Sequence, residues 1–215
     1  QKLGLSVFDN CPSLAEVSFE KSLGEIGETA FYRCGALAVV KFGGEVGTVA
    51  PYAFGNCTNL SAVVLPQSVT NLAEGAFYNC STLTSFAFPS NVVDVSDAVL
   101  SGCSGLTNVT FSSRTETIGG GALLNCSRLG EAGFTLPSGI KSIAKNALNG
   151  TKFWNDCPED SVVVKDGYLI GIKGDIPASV TIPEGVSTIP ENMFRDCTNL
   201  IEIPLPMSLK AVSPY

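Results

Sequence analysis

From Cys57 to Cys80 the chain sets out a pattern of apolar and polar positions that most of its length repeats. Leu60 follows the first cysteine by three residues, Val63 by six and Leu65 by eight; Val69 and Leu72 follow by twelve and fifteen. Small or polar residues alternate with Val63 and Leu65, which is the period-two pattern of a strand with one buried face. Val69 and Leu72 predict a second short strand or extended segment on the opposite flank. A sign of the form Ala-Phe-x-Asn-Cys closes the unit, at residues 53–57 and again at 76–80, and predicts one helical turn.

The cysteines recur every twenty-three residues at Cys11, Cys34, Cys57, Cys80, Cys103 and Cys126. Three residues after each comes Leu14, Leu37, Leu60, Leu83, Leu106 or Leu129; six after come Val17, Val40, Val63, Phe86 and Val109; eight after come Phe19, Phe42, Leu65, Phe88 and Phe111. A fixed period of this length predicts a solenoid. One coil with two short strands cannot cover its own apolar side. Stacking coils at the ~4.8 Å strand spacing pairs their backbones and places equivalent side chains in ladders. The expected fold is mainly β, with short parallel strands on two flanks of each coil and a short helical turn at each sign.

The register changes after Cys126, where the interval from Leu129 to Leu136-Pro137 is two residues longer than usual. Ile140, Ile143 and Leu148 return to the pattern, with Thr151 at the cysteine position. Residues 152–175 break it. Within them, 162–165 and 168–173 predict a hairpin turned at Asp166-Gly167. The repeat resumes at Val180 and reaches Cys197, forty-six residues or two periods after Thr151, so the irregular segment is expected to replace one coil. Residues 1–215 therefore read as a single solenoid with an irregular coil at about 152–175. Both ends, Gln1 and Tyr215, stop in mid-coil without the polar caps that solenoids need. The chain starts without Met and shows no signal peptide, which reads as a processed product or an excised piece of a longer chain.

The unit Leu-x-x-Val-x-Leu-Pro-x-x-Val-x-x-Ile-x-x-x-Ala-Phe-x-Asn-Cys resembles the BspA-like leucine-rich repeat. Residues 60–80, 136–148 and 182–205 carry the match best, and the irregular Trp…Tyr-Leu-Ile-Gly-Ile-Lys-Gly-Asp stretch resembles a coil found in that family. Glu20, Gly43 and Ser112 depart from it where Pro is expected. The resemblance implies a right-handed leucine-rich-repeat solenoid on a cell-surface or secreted protein, associated with adhesion and protein binding, with no catalytic residues to carry over.

Composition narrows the function classes. A formal charge of −7 without a basic stripe argues against a nucleic-acid partner. No run of eighteen apolar residues exists to span a membrane. The chain has no His, removing the commonest metal ligand and general base, and its eight Cys form no short C-x-x-C pair. No cofactor, metal or catalytic residue is implied. The six regularly spaced cysteines read either as a ladder of buried thiols or as stacked disulfides, since neighbouring coils fall within disulfide reach; Cys157 lies outside the ladder. Gly119-Gly120-Gly121 lacks the Lys-Ser/Thr and the strand–helix frame of a phosphate loop and reads as a turn.

Two surface features remain. Six asparagines sit in N-x-[ST] sequons: Asn56, Asn59, Asn79, Asn108, Asn125 and Asn149. The repeat sign generates several of them by itself, so they read either as glycan acceptors or as a by-product of the repeat. The outward strand positions Val39, Lys41, Ala62, Val64, Ser85, Ala87, Asn108 and Thr110 form the candidate binding face. The expected function is a non-enzymatic extracellular or cell-surface solenoid that takes a protein or glycan ligand in adhesion. The alternative is a structural subunit that self-assembles into a fibre or surface layer through open ends or the sheet face.

Overall fold

A computed structural model of the chain describes residues 1–190 and 193–212; Tyr215, where the sequence reading places the chain's open end, lies outside them. The chain is a mainly β solenoid of about eight coils with parallel strands. On one flank Glu16–Phe19 pairs with Val39–Phe42, and Ser85–Ala87 pairs with Asn108–Thr110. The registers, such as Val17↔Val40 and Phe86↔Val109, stack equivalent positions of successive coils. The opposite flank carries Lys2–Leu3, Leu23–Ile26, Val46–Val49 and Asn71–Leu72 in one parallel sheet, and Asp94–Val95, Thr117–Ile118 and Ser142–Ile143 in another.

The sign segments are not the helical turns that the sequence predicts. Each is a pair of consecutive reverse turns, as in Tyr32 N–H to Thr29 O and Cys34 N–H to Phe31 O. Alternate N–H groups point along the axis to the next coil: Thr29 to Pro51, Phe31 to Ala53 and Arg33 to Gly55. A helix would turn these donors back into its own chain. The alternation needs a left-handed residue before each repeat cysteine or, at Thr151, its replacement, and Asn10, Arg33, Asn56, Asn79, Gly102, Asn125, Gly150 and Asp196 all have positive φ. Asn, Gly and Asp tolerate that region best, which is why they dominate this position.

The first flank is also less regular than predicted. Residues 61–65 form no strand. In the coil before, the N–H of Gly43 closes the strand end by donating to Phe19 O. Pro66 occupies the same place one coil on and has no N–H to give. The sheet opens there into a gap of ≈ 450 Å³ between Phe42-Gly43 and Val64-Leu65-Pro66. A second gap, ≈ 360 Å³, separates Asn108–Thr110 from Phe134 and Leu136. The two extra residues after Cys126 cause it, because they are taken up in a 3-10 turn at Glu131–Gly133 that moves the coil beginning at Cys126, coil six, off the ladder.

The core is a set of columns. Phe8, Phe31, Phe54 and Phe77 stack at 5.3, 5.2 and 5.3 Å between centroids, within 11° of parallel. Phe19 and Phe42, and Phe88 and Phe111, stack in the same way on the strand flank.

In the irregular segment a short helix, Lys152–Asp156, is capped by Thr151 and leads into an antiparallel hairpin of Ser161–Lys165 and Tyr168–Lys173. Asp166 and Gly167 both have positive φ, as a two-residue hairpin turn of type I′ needs. Tyr168–Lys173 also pairs in parallel with Thr188–Ile189 of the resumed repeat. Its Ile170 packs into the first core and its Leu169 into a second one, with Val180, Ile182 and Val186. The strand is thus a partition buried on both faces. Three contacts tie it back to coil six: Asp166 Oδ2 accepts the Leu136 N–H at 2.8 Å, Tyr168 Oη donates to Pro137 O at 3.0 Å, and buried Lys165 pairs with Glu131 at 2.9 Å.

Candidate functional site

Every residue of the predicted face is exposed: Val39, Lys41, Ala62, Val64, Ser85, Ala87, Asn108 and Thr110. Their neighbours Val40, Val63, Phe86 and Val109 are buried. Glu16 and Lys41 form an ion pair across the first two strands. Val64 is 84% exposed and stands beside the gap at Pro66. The face is one surface carried by two separate strand pairs, with the unpaired Ala62–Val64 stretch between them.

The sequon asparagines occupy four settings. Asn59 and Asn125 are exposed, and Asn108 lies on the sheet face. Asn56 and Asn79 are half-buried on the turn flank, where Asn79 Nδ2 donates to Asn56 Oδ1 at 2.7 Å. At Asn149 the third sequon residue, Thr151, is fully buried and its hydroxyl donates to Leu148 O.

All eight cysteines are free. Cys34, Cys57, Cys80, Cys103 and Cys126 are buried, and each thiol donates to a carbonyl of the preceding coil, from Cys34 to Phe8 O at 3.0 Å through Cys126 to Leu100 O at 3.2 Å. Burial pushes Cys57 and Cys103 up to about 12 and Cys80 and Cys126 well above the ordinary thiol range. The thiolate is the reactive form. With an Ellman-type reagent at pH 8, the three half-buried thiols, Cys11, Cys157 and Cys197, are expected to react first. The fully buried Cys57, Cys80, Cys103 and Cys126 should react only after denaturant is added. Rapid modification of Cys80 in the folded protein, read by peptide mass mapping, would contradict this.

Gly119-Gly120-Gly121 is a turn whose N–H groups are taken by neighbours: Gly120 donates to Asp97 Oδ1 at 2.6 Å and Gly121 to Asn146 Oδ1 at 3.2 Å. Among the described residues no group of three or more His, Cys, Asp or Glu is placed to hold a metal ion. No helix among them is long and apolar enough to cross a membrane.

The structure adds a feature that the periodic pattern does not single out. Tyr32, Tyr52 and Tyr78 lie in three consecutive coils on the turn flank and meet edge to face, at 6.4 and 6.0 Å between centroids. Tyr52 Oη donates to Glu74 at 2.8 Å, and the Arg33 guanidinium lies 4.9 Å from the Tyr32 ring centre. The signal in the sequence is that Tyr appears at positions where most other copies carry small or polar residues, such as Asp9, Thr29, Gly55, Ala98 and Ser101.

The family model for the BspA type leucine-rich repeat region matches in six copies over residues 1–103, 25–155 and 176–215, leaving out only the stretch that holds the hairpin. No curated protein matches the chain. Among solved structures, a leucine-rich cell surface protein from Faecalibacterium prausnitzii superposes over 99% of this chain and 64% of its own, with TM-score 0.65 and 23% identity. A leucine-rich repeat protein from Bacteroides ovatus superposes over 98% of this chain and 66% of its own, with TM-score 0.57 and 18% identity. The chain thus spans just under two thirds of the length of these structures, and at such identities the likeness is one of fold.

Proposed function

Since the chain belongs to the BspA-type leucine-rich-repeat family, we propose that it is a non-enzymatic binding module of an extracellular or cell-surface protein, taking a protein partner in adhesion. The observation that carries this reading is the outward row from Val39 to Thr110. It is an exposed surface with an apolar centre, held rigid by a core that is continuous behind it. A rigid scaffold costs little conformational entropy on binding. The likeness to a protein described as a cell surface protein supports the placement. The row contains the residue types that differ from coil to coil, whereas the positions behind it repeat.

The test uses a panel of purified matrix proteins immobilised on a sensor surface. The wild-type chain is expected to bind at least one of them. The triple variant Val39→Glu, Val64→Glu, Ala87→Glu should lose that binding by about a hundredfold or more, because desolvating carboxylates without partners is costly. Its circular dichroism melt should be unchanged, since the substituted side chains are exposed. Binding that survives all three charges would place the contact elsewhere.

A further inference from the structure

We propose that the strip formed by Tyr32, Tyr52 and Tyr78 is a binding platform for a neutral polysaccharide chain running along the solenoid axis. It lies on the turn flank, away from the sheet face assigned to a protein partner. The rings are built in rather than scattered. Gly55 and Gly75 leave room for them: a Cβ on Gly55 would stand 2.8 Å from the Tyr32 ring, and one on Gly75 would overlap the Tyr52 ring. Tyr52 itself sits in the left-handed region, with φ of 52°. The same place in other coils holds Ser6, Thr29, Gly75, Ala98 and Gly121. The left-handed backbone recurs in all six of these copies, and only this one fills it with an aromatic ring.

The chemistry of the strip selects the ligand class. Its tyrosines present an apolar ring and a polar edge in each of three successive coils, and Tyr78 is 37% exposed. The coil spacing, ~4.8 Å, is comparable to the length of one pyranose ring in a chain, so successive sugars meet successive coils. Hydroxyl partners stand beside the rings. Asn79 donates to Asn56 Oδ1, which leaves the Asn56 NH₂ group for a ligand, and the Glu74 carboxylate is exposed next to Tyr52.

Other ligand classes fit less well. Glu28, Glu74 and Asp97 are exposed along the flank against the one guanidinium of Arg33, which disfavours a polyanion. An extended peptide added as a strand needs an open backbone edge. Here the N–H groups of residues 29, 31, 33, 52, 54, 56, 75, 77 and 79 are all bonded to the following coil.

The experiment is native affinity electrophoresis of the full chain in gels containing laminarin, lichenan, xylan or galactomannan, with heparin and poly-L-proline in parallel gels. At least one neutral polysaccharide is expected to retard the wild type. Replacing Tyr32 and Tyr78 by Ser should weaken that retardation by roughly two- to tenfold per ring. Tyr78→Phe should keep most of it, and Val64→Glu should leave it unchanged. Circular dichroism checks that each variant is folded. The proposal is overturned if none of the four neutral polymers retards the chain, or if the double Ser variant is retarded like wild type. It is also overturned if retardation follows Val64→Glu, or if poly-L-proline alone binds through the tyrosines. Failure of the tyrosine variants leaves the sheet-face reading untouched, since that reading is tested by its own variants and partner panel.

Discussion

Phe54→Ala is expected to lower the stability of the chain by about 3–5 kcal/mol, the usual cost of removing a fully buried aromatic ring. Phe54 is fully buried and stacked between Phe31 and Phe77, at 5.2 and 5.3 Å. The ring is the middle of a column, so its loss removes contacts with the coil before and the coil after. The backbone cannot close over the void, because Phe54 N–H is bonded to Ala76 O and the Ala53 carbonyl accepts from Phe31. The coils therefore stay at their spacing around an empty site. Stability in a stacked repeat is a sum over neighbours, so the damage should be local. Hydrogen exchange should speed up most in residues 27–80 and least around the hairpin. Urea titration followed by circular dichroism measures the loss; a cost under about 1 kcal/mol would show that the column adds little. Val64→Ala is the control, expected to stay within about 0.5 kcal/mol because Val64 is exposed.

The second large effect is expected at Asp166. Its carboxylate accepts the Leu136 N–H at 2.8 Å, and its backbone has φ of 51° at the first turn position of the hairpin. Asp166→Ala removes a charge-assisted acceptor, worth about 1.5–3 kcal/mol. It also puts alanine in a left-handed conformation that costs about 1–2 kcal/mol. The two losses share one residue, and a combined destabilisation of about 2–4 kcal/mol is expected. Asp166→Asn keeps an acceptor and tolerates the same backbone, so it should lose less than half as much. The readout is thermal unfolding together with the rate of limited proteolysis within residues 157–175. Equal effects of Ala and Asn would mean that neither the turn nor the bond to Leu136 holds the partition in place.

These two sites differ in how far they could be read beforehand. Phe54 stands in the repeat sign, and its copies at Phe31 and Phe77 mark it as core from the sequence alone. The turn at Asp166-Gly167 is legible too, since that dipeptide between apolar runs predicts it. The bond from Asp166 to Leu136 spans thirty residues and has no periodic signature. The outward strand row follows from alternation alone. The tyrosine strip does not, because Tyr52 occupies a different place in its repeat from Tyr32 and Tyr78. Only the stagger of the coils brings the three rings together.

The sequence by itself determined the period, the two strand flanks, the buried columns and the place where the repeat is interrupted. Each follows from local apolar spacing copied from coil to coil, and a copied pattern has one economical way to hide its apolar side. The tertiary structure decided what depends on partners in the next coil. The sign segments became bonded turns instead of helix because their alternate N–H groups found carbonyls across the stack. The strand flank opened at Pro66 because that ring has no N–H for the coil before it. The hairpin became a partition with one core on either side because Ile170 and Leu169 point in opposite directions from the same strand.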